Sequence, residues 1–231
     1  MNAGELVLGT IVNCLTIIAG SLVGILFRNG IPEKYNQTVM QAIGLSVILI
    51  GMKNALGSND LVIIIVSLAM GSLLGELIGI ENYLERLGNF LEAKFSKKSS
   101  GFSAGFVTAS LMYCIGSMAI VGSLESGLTG NHDTLFAKAT LDGIVGIILS
   151  SSMGIGVLFA SVPVLLYQGS ITLMAGLLKP LLVPAVISQM SAVGGLLIVA
   201  LGLNMIREKK LKVGNMLPAV FIPLIYFIIQ N

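Results

Sequence analysis

The sequence contains few charged residues, a single histidine and only two cysteines. Charged residues make up 10% of its 231 residues, whereas they make up about 25% of ordinary soluble domains. Hydrophobic residues account for 55%, and the mean hydropathy is +0.96. This composition excludes a soluble globular domain and predicts an integral membrane protein whose surroundings are the lipid bilayer.

The scarcity of cysteine and histidine limits the chemistry that the chain can carry. Cys14 and Cys114 lie in separate apolar segments without CxxC spacing, so we expect neither a disulfide framework nor a metal site. The sequence has no H-E-x-x-H motif and no nucleophile–base pair, which argues against an enzyme. We therefore expect no cofactor. The net charge of +2 gives no reason to expect a nucleic acid as partner.

Apolar segments of spanning length account for most of the chain. One crossing needs about 20 apolar residues. Eight segments approach this length: residues 5–27, 37–57, 61–80, 103–122, 139–160, 163–178, 185–206 and 213–229. The first segment carries Glu5 and lacks the basic region of a signal peptide, so we expect it to be a retained span. The sequence thus predicts an all-α fold, with one membrane domain of about eight transmembrane helices over residues 1–231.

The basic residues indicate how these helices are oriented. With eight crossings, ten basic residues share one side of the membrane: Arg28, Lys34, Arg86, Lys94, Lys97, Lys98, Arg207, Lys209, Lys210 and Lys212. The other side receives Lys53, Lys138 and Lys179. The positive-inside rule then places both termini outside the cytoplasm. A single crossing over residues 138–179 would remove this asymmetry, but a re-entrant pair of half-helices there would preserve it, and this alternative stays open.

The one sizeable loop has the pattern of a helix on the membrane surface. Within residues 81–98, apolar side chains recur at helical spacing between charged ones. The segment ends on Lys97 and Lys98, which suit a surface of anionic lipid. We predict a cytoplasmic amphipathic helix that anchors the chain at the interface.

Two segments 150 residues apart are similar. Residues 40–54 and 190–204 align without a gap and are identical at five positions, two of which are Ile48/Ile198 and Asn54/Asn204. If this similarity reflects a duplication, spans 1–3 correspond to spans 6–8 in inverted orientation around a central helix pair, as in many secondary transporters. The alternative is chance resemblance between two apolar helices.

The stretch from Lys138 to Lys179 is unusually polar for its depth. Its length suits two crossings, which we expect to fold back near residues 161–163. Polar groups at this depth must face helices, a cavity or a solute. Together with polar residues of spans 1 and 4, they form a candidate solute or ion site: Asn13, Ser117, Ser150, Ser151, Ser152, Gln168, Ser170 and Thr172. Each hydroxyl could instead serve helix packing alone.

Three charged residues are candidates for gating or for attracting ions. Lys138 and Asp142 are four residues apart and can pair across one helical turn. Glu125 would share the outer side with them, where an excess of acidic residues could concentrate cations. A solvated loop and a simple ion pair at the helix entrance are the alternatives.

Small residues form stripes at helical spacing on two spans. They are Gly20 and Gly24 on the first, and Ser67, Gly71, Gly75 and Gly79 on the third. Such stripes let helices approach closely, either within one chain or in a homo-oligomer. Glu76 lies inside the second stripe, where packing or proton coupling could explain it.

Several long motifs resemble one bacterial membrane protein family. They are GSMAIVGSLESGLTG (116–130), AKATLDG (137–143), GIGVLFASVPVLLYQGSITL (154–173) and KVGNMLPA (212–219). These segments are similar to the family catalogued as domain of unknown function 554. The resemblance implies a bacterial inner-membrane location, and it brings no catalytic or binding residues with it.

We interpret the chain as a transporter of a small solute or ion with a polar site at the bilayer midplane, and we expect it to be coupled to a cation. The polar interruptions of spans 4 to 6 and the inverted repeat favour this interpretation. A channel or pore is the first alternative, although no carbonyl-filter motif is present. A structural or lipid-interacting membrane protein is the second.

Overall fold

The computed structural model describes residues 3–28, 33–83, 86, 90, 102–207 and 211–230, and these residues form helices and connecting turns without a β-strand. The all-α prediction is confirmed. The longer helices of this part of the chain are α1 (Leu8–Arg28), α2 (Glu33–Ala55), α3 (Leu61–Ile78), α4 (Phe102–Cys114), α5 (Ser117–Thr129), α6 (Asp133–Met153), α7 (Ser161–Leu173), α8 (Pro184–Ile206) and α9 (Ile222–Gln230). A 3-10 helix, Gly214–Phe221, leads directly into α9.

Five segments of the described chain are long and apolar enough to cross a membrane. They are Leu8–Phe27, Leu61–Ile78, Asp133–Met153, Gly156–Leu173 and Pro184–Ile206. The pair α4 and α5 raises the number to six if it forms one bent span. The apolar stretches Met40–Ala55 and Gly214–Gln230 are shorter. They coincide with the second and eighth predicted spans, so the count of eight stays a prediction.

The turn between the fifth and sixth predicted spans lies earlier than expected. We predicted it near residues 161–163, but α6 ends at Met153 and the chain turns at Gly154. Gly154 has φ +80°, a conformation that glycine adopts without the penalty of a Cβ. Pro163 falls in the first turn of α7, where its missing N–H has no helical partner to lose. The proline therefore starts a helix here and does not make the turn.

The fourth predicted span is interrupted where the sequence has its Gly116-Ser117 pair. Helix α4 ends at Cys114 and α5 begins at Ser117, and the two axes differ by 59°. A Gly-Ser pair can kink a helix, and the bend lies at this pair. The predicted surface helix at 81–98 lies outside the described residues, apart from Glu81–Tyr83, Arg86 and Phe90.

The described chain divides into two compact units. The first contains α1, α4, most of α5, α6 and α7. Within it, α1 and α6 run parallel and in close contact: Asn13 contacts Asp142, and Ser21 contacts Ser150 eight residues further along both helices. A Cβ built on Gly20 would lie 2.1 Å from the carbonyl oxygen of Gly143. The stripe predicted on span 1 therefore serves contact within the chain.

The second unit contains most of α2, together with α3, α8, the 3-10 helix and α9. Helices α2 and α8 pack antiparallel, since a Cβ on Gly51 would lie 2.7 Å from Gly195 O and one on Gly44 would lie 3.0 Å from Gly202 O. The small-residue stripe of α3 packs against the 3-10 helix. A Cβ on Gly75 would lie 1.9 Å from Asn215 O, so this stripe also mediates contact within the chain.

We expect Gly20→Ala to destabilise the protein by about 1–3 kcal/mol, because the added methyl group must push the backbones of α1 and α6 apart. Gly169→Ala in α7 is the matched control, since its Cβ would have no neighbour within 4 Å and alanine favours a helix by about 1 kcal/mol. Thermal unfolding of both variants in detergent measures the difference. Equal melting temperatures would contradict the close approach of α1 to α6.

Candidate functional site

Lys138 and Asp142 form a buried ion pair inside α6. Their exposed fractions are only 6% and 7%, and Lys138 Nζ donates a hydrogen bond to Asp142 Oδ2. Both lie within the candidate span Asp133–Met153. A lone charge at the centre of a bilayer costs about 2.5–3.5 kcal/mol on insertion scales. Each residue of the pair neutralises the other and lowers this cost.

Two side-chain amides from other helices extend this pair. Asn13 of α1 donates from Nδ2 to Asp142 Oδ2 over 3.0 Å. The same Nδ2 donates to Oε1 of Gln168 in α7 over 3.3 Å. Asn13 and Gln168 are both completely buried. Side chains of α1, α6 and α7 thus meet in one connected group, which we call the polar cluster: Asn13, Lys138, Asp142 and Gln168.

The chemistry of these groups fixes the orientation of both amides. An ionised carboxylate only accepts hydrogen bonds, so the NH₂ group of Asn13 must face Asp142. Its second N–H then requires an acceptor, which orients the Gln168 oxygen toward Asn13. This leaves Asn13 Oδ1 and Gln168 Nε2 as buried polar atoms without a hydrogen-bond partner among the described residues. The cluster therefore retains one free acceptor and one free donor.

Tyr113 and Cys14 lie beside the polar cluster. Tyr113, near the end of α4, is 1% exposed, and its hydroxyl has no partner among the described residues. Lys138 Nζ lies 5.9 Å from the centre of its ring, a distance at which the ring face attracts a cation. Cys14 Sγ donates to Ser161 O over 3.4 Å. The ammonium group thus has an aromatic neighbour as well as a carboxylate.

Three of the six predicted hydroxyl groups bond to backbone carbonyls. Ser150 is buried and lies within hydrogen-bond distance of Gly146 O (2.6 Å) and Ser21 O (3.0 Å). Ser151 donates to Ile148 O, and Ser170 donates to Tyr167 O, each over 2.8 Å. These bonds connect each hydroxyl to its own helix, and in Ser150 also to α1.

The remaining predicted residues lie in three different settings. The hydroxyls of Ser152 and Thr172 are buried without a partner among the described residues. Ser117 is exposed at the start of α5. Glu125 accepts a hydrogen bond from Thr134 Oγ1 over 2.6 Å. The structure therefore joins Asn13, Lys138, Asp142 and Gln168 directly, and it gives no contact between them and Ser117 or Glu125.

A second polar group in the other unit was missed by sequence reasoning. Asn215 is buried, and its Nδ2 donates to Glu76 Oε2 over 2.6 Å. Its Oδ1 accepts the backbone N–H of Glu81 over 2.7 Å. Lys212 donates to Glu76 over 2.6 Å, and this hydrogen bond raises the pKa of Lys212. The group is fully paired and holds the 3-10 helix against the end of α3. The sequence signal that could have revealed this group was Asn215, an asparagine within the otherwise apolar end of the KVGNMLPA motif.

The described residues contain no group of three His, Cys, Asp or Glu side chains that could hold a metal ion. The Lys138–Asp142 pair and the side-chain amides of Asn13 and Gln168 instead provide ionic and hydrogen-bonding groups.

Comparison of the sequence with known proteins identifies a family. The family described as "Protein of unknown function (DUF554)" matches residues 8–228. The "Uncharacterized membrane protein YdfK" of Bacillus subtilis (strain 168) is 39% identical over 228 residues, which cover 96% of each chain. The "Uncharacterized protein YqgA" of Escherichia coli (strain K12) is 29% identical over 222 residues, or 94% of each chain. No solved structure matches the chain significantly.

We expect Lys138→Gln and Asp142→Asn each to lower the free energy of unfolding by about 3–5 kcal/mol, because each leaves one buried charge uncompensated. The double variant should lose less stability than the more damaging single variant, since it leaves no buried charge behind. Thermal unfolding in detergent gives the double-mutant cycle. Lys212→Gln removes an exposed ion pair (63% and 57% exposed side chains) and is the control, with little change expected. Additive losses would contradict the pairing.

Proposed function

The chain belongs to the DUF554 family and is a multi-pass membrane protein, and we propose that it transports a small polar solute whose binding site is the polar cluster. The observation that carries this proposal is the ion pair of Lys138 and Asp142 inside α6. Ionisable residues within spans are costly, and in membrane proteins they often belong to substrate or ion pathways. A pair that served stability alone could be replaced by apolar residues at little or no cost.

The free hydrogen-bonding groups support the same conclusion. A buried polar group without a partner costs about 1–3 kcal/mol, yet Asn13 Oδ1 and Gln168 Nε2 both have this property among the described residues. A polar solute that accepts from one and donates to the other would remove this cost. These two atoms are therefore candidate contacts for the solute.

An interrupted helix lies next to the cluster, as in many transporters. Tyr113, whose ring faces Lys138, precedes the 59° bend between α4 and α5. A bend of this kind gives a helix half that can move separately, which alternating access requires.

An inverted repeat would supply the architecture for such movement. Shifting the chain by 150 residues carries α2, Glu33–Ala55, onto residues 183–205, which matches α8 within one residue at each end. These two helices are antiparallel, as the inversion requires. Their glycine contacts are centred near Ile48 and Ile198, which are the identical residues that the shift aligns.

The helix directions within the first unit favour eight crossings. Helix α4 runs opposite to α6, since Gly105 lies next to Met153 and Tyr113 next to Gly146. Because α6 is parallel to α1, α4 also runs opposite to α1. The end of α1 and the start of α4 then lie on the same side of the membrane, so the chain between them crosses it an even number of times. Helix α2 therefore crosses the membrane if α3 does. The 23 residues of α2, of which Met40–Ala55 form the apolar part, extend over about 34 Å at 1.5 Å per residue, longer than a bilayer core of about 30 Å.

We expect the protein to lie in the inner membrane of a bacterium, with both ends of the chain outside the cytoplasm. Epitope tags fused to each end should both be removed by protease added to intact spheroplasts, because eight crossings return the chain to its starting side. A tag inserted between Lys94 and Lys98 is the control and should stay protected. Tags on opposite sides would exclude eight spans and the repeat with them.

We expect the purified protein in liposomes to accumulate at least one solute from a radiolabelled panel of amino acids, organic acids, amines and inorganic cations. The double variant Lys138→Gln/Asp142→Asn should lower the initial rate at least tenfold, because it removes both charges of the cluster while leaving no unpaired charge. Lys212→Gln should transport like the unmodified chain. Unchanged uptake by the double variant, verified as folded by thermal unfolding, would place the solute site elsewhere.

A further inference from the structure

We propose that the polar cluster selects zwitterions, small solutes with one ammonium and one carboxylate group and no net charge. This inference rests on the proposed function, because it specifies the solute class of the same site. It follows from two properties of the cluster: its net charge and the arrangement of its donors and acceptors.

The net charge of the cluster is zero before any solute binds. Lys138 supplies one positive charge and Asp142 supplies one negative charge, and among the described residues no other Asp, Glu, Lys or Arg side chain is buried. The neighbouring Cys14, Cys114, Tyr113 and Tyr167 are neutral thiols and phenols. A monovalent cation or anion would leave this buried site with one uncompensated charge, which is costly at bilayer depth. A zwitterion leaves the site neutral.

The hydrogen-bonding groups of the cluster divide into two complementary sets. The acceptor set is the Asp142 carboxylate and Asn13 Oδ1, and these two residues are joined by the 3.0 Å bond from Asn13 Nδ2. The donor set is the Lys138 ammonium and Gln168 Nε2. A solute ammonium needs acceptors and a solute carboxylate needs donors. Each end of a zwitterion thus finds an oppositely charged partner, and Asn13 Oδ1 and Gln168 Nε2 supply one further acceptor and one further donor.

In the empty site, Lys138 and Asp142 neutralise each other, as the two charged groups of a bound zwitterion would. Lys138 donates to Asp142 when no ligand is bound, so neither charge is left alone in the membrane. A zwitterion that enters between them replaces one ion pair with two, since its ammonium faces Asp142 and its carboxylate faces Lys138. The two free amide atoms gain partners in the same step. No covalent bond and no net charge change is involved.

Three matched ligand series test this inference by thermal unfolding of the full chain in detergent. Each series contains a zwitterion, the amine that lacks its carboxylate, and the acid that lacks its ammonium. They are glycine, methylamine and acetate; alanine, ethylamine and propionate; and γ-aminobutyrate, propylamine and butyrate. At a hundredfold its dissociation constant, a bound ligand should raise the melting temperature of a chain of this size by about 5–10 °C. We expect at least one zwitterion to do so, with neither partial ligand giving half that shift.

Changing the charge of the cluster should change the preferred ligand in a defined direction. Asp142→Asn leaves Lys138 as the only charge, so the acid of the responding series should become the stabilising ligand. Lys138→Gln leaves Asp142, so the amine should become stabilising. The double variant Lys138→Gln/Asp142→Asn is neutral, folds without an unpaired charge, and should lose the response to the zwitterion. It keeps the test decisive even where a single variant does not fold. Lys212→Gln should respond like the unmodified chain.

The outcomes separate this inference from the proposed function. An amine or an acid that stabilises the unmodified chain more than its zwitterion would overturn the inference and leave transport at this cluster intact. An unchanged zwitterion response in the double variant would also overturn it, because binding would then occur elsewhere. The absence of a thermal shift with every zwitterion would also overturn the inference. The proposed function has a separate test, and it would be overturned if liposomes took up no solute of any charge.

Discussion

The close packing of α1 against α6 is the contact on which the polar cluster depends. Gly20 and Gly24 have no side chain where α6 approaches, and a Cβ on either would lie about 2.1 Å from an atom of that helix. Because the two helices are parallel, this approach aligns them over several turns. Asn13, two turns before Gly20, is thereby brought within 3.0 Å of Asp142. The glycines thus position the polar cluster although they are not part of it.

The membrane determines what that alignment can be used for. Water cannot satisfy a buried carboxylate or ammonium group at bilayer depth, so each charge requires a protein partner or a ligand. Lys138 and Asp142 satisfy one another across a single helical turn, and the amide of Asn13 supplies the carboxylate with a second donor. A helix that carries both charges can therefore cross the bilayer as a neutral unit.

Sequence reasoning predicted the features that depend on composition and on local spacing. The all-α fold, the small-residue stripes and the i,i+4 spacing of Lys138 and Asp142 follow from the chain itself. The meeting of Asn13 with Gln168, 155 residues apart, depends on which helices become neighbours, and no local pattern contains that information. The turn at Gly154 was predicted too late in the chain, near residues 161–163, where Pro163 is in fact tolerated in the first turn of a helix.

The contrast between hydroxyls and amides explains why four of the predicted polar residues form one connected group. A serine in a helix can donate to the carbonyl three or four residues before it, as Ser151 and Ser170 do, so its presence in a span requires no partner from another helix. Asn13 and Gln168 each carry two donors and an acceptor that their own helices leave unused. Such side chains need partners across a helix interface. In an apolar span, an asparagine or glutamine therefore indicates a meeting point of helices more strongly than a serine does, and a lysine and aspartate one turn apart indicate where that meeting point carries charge.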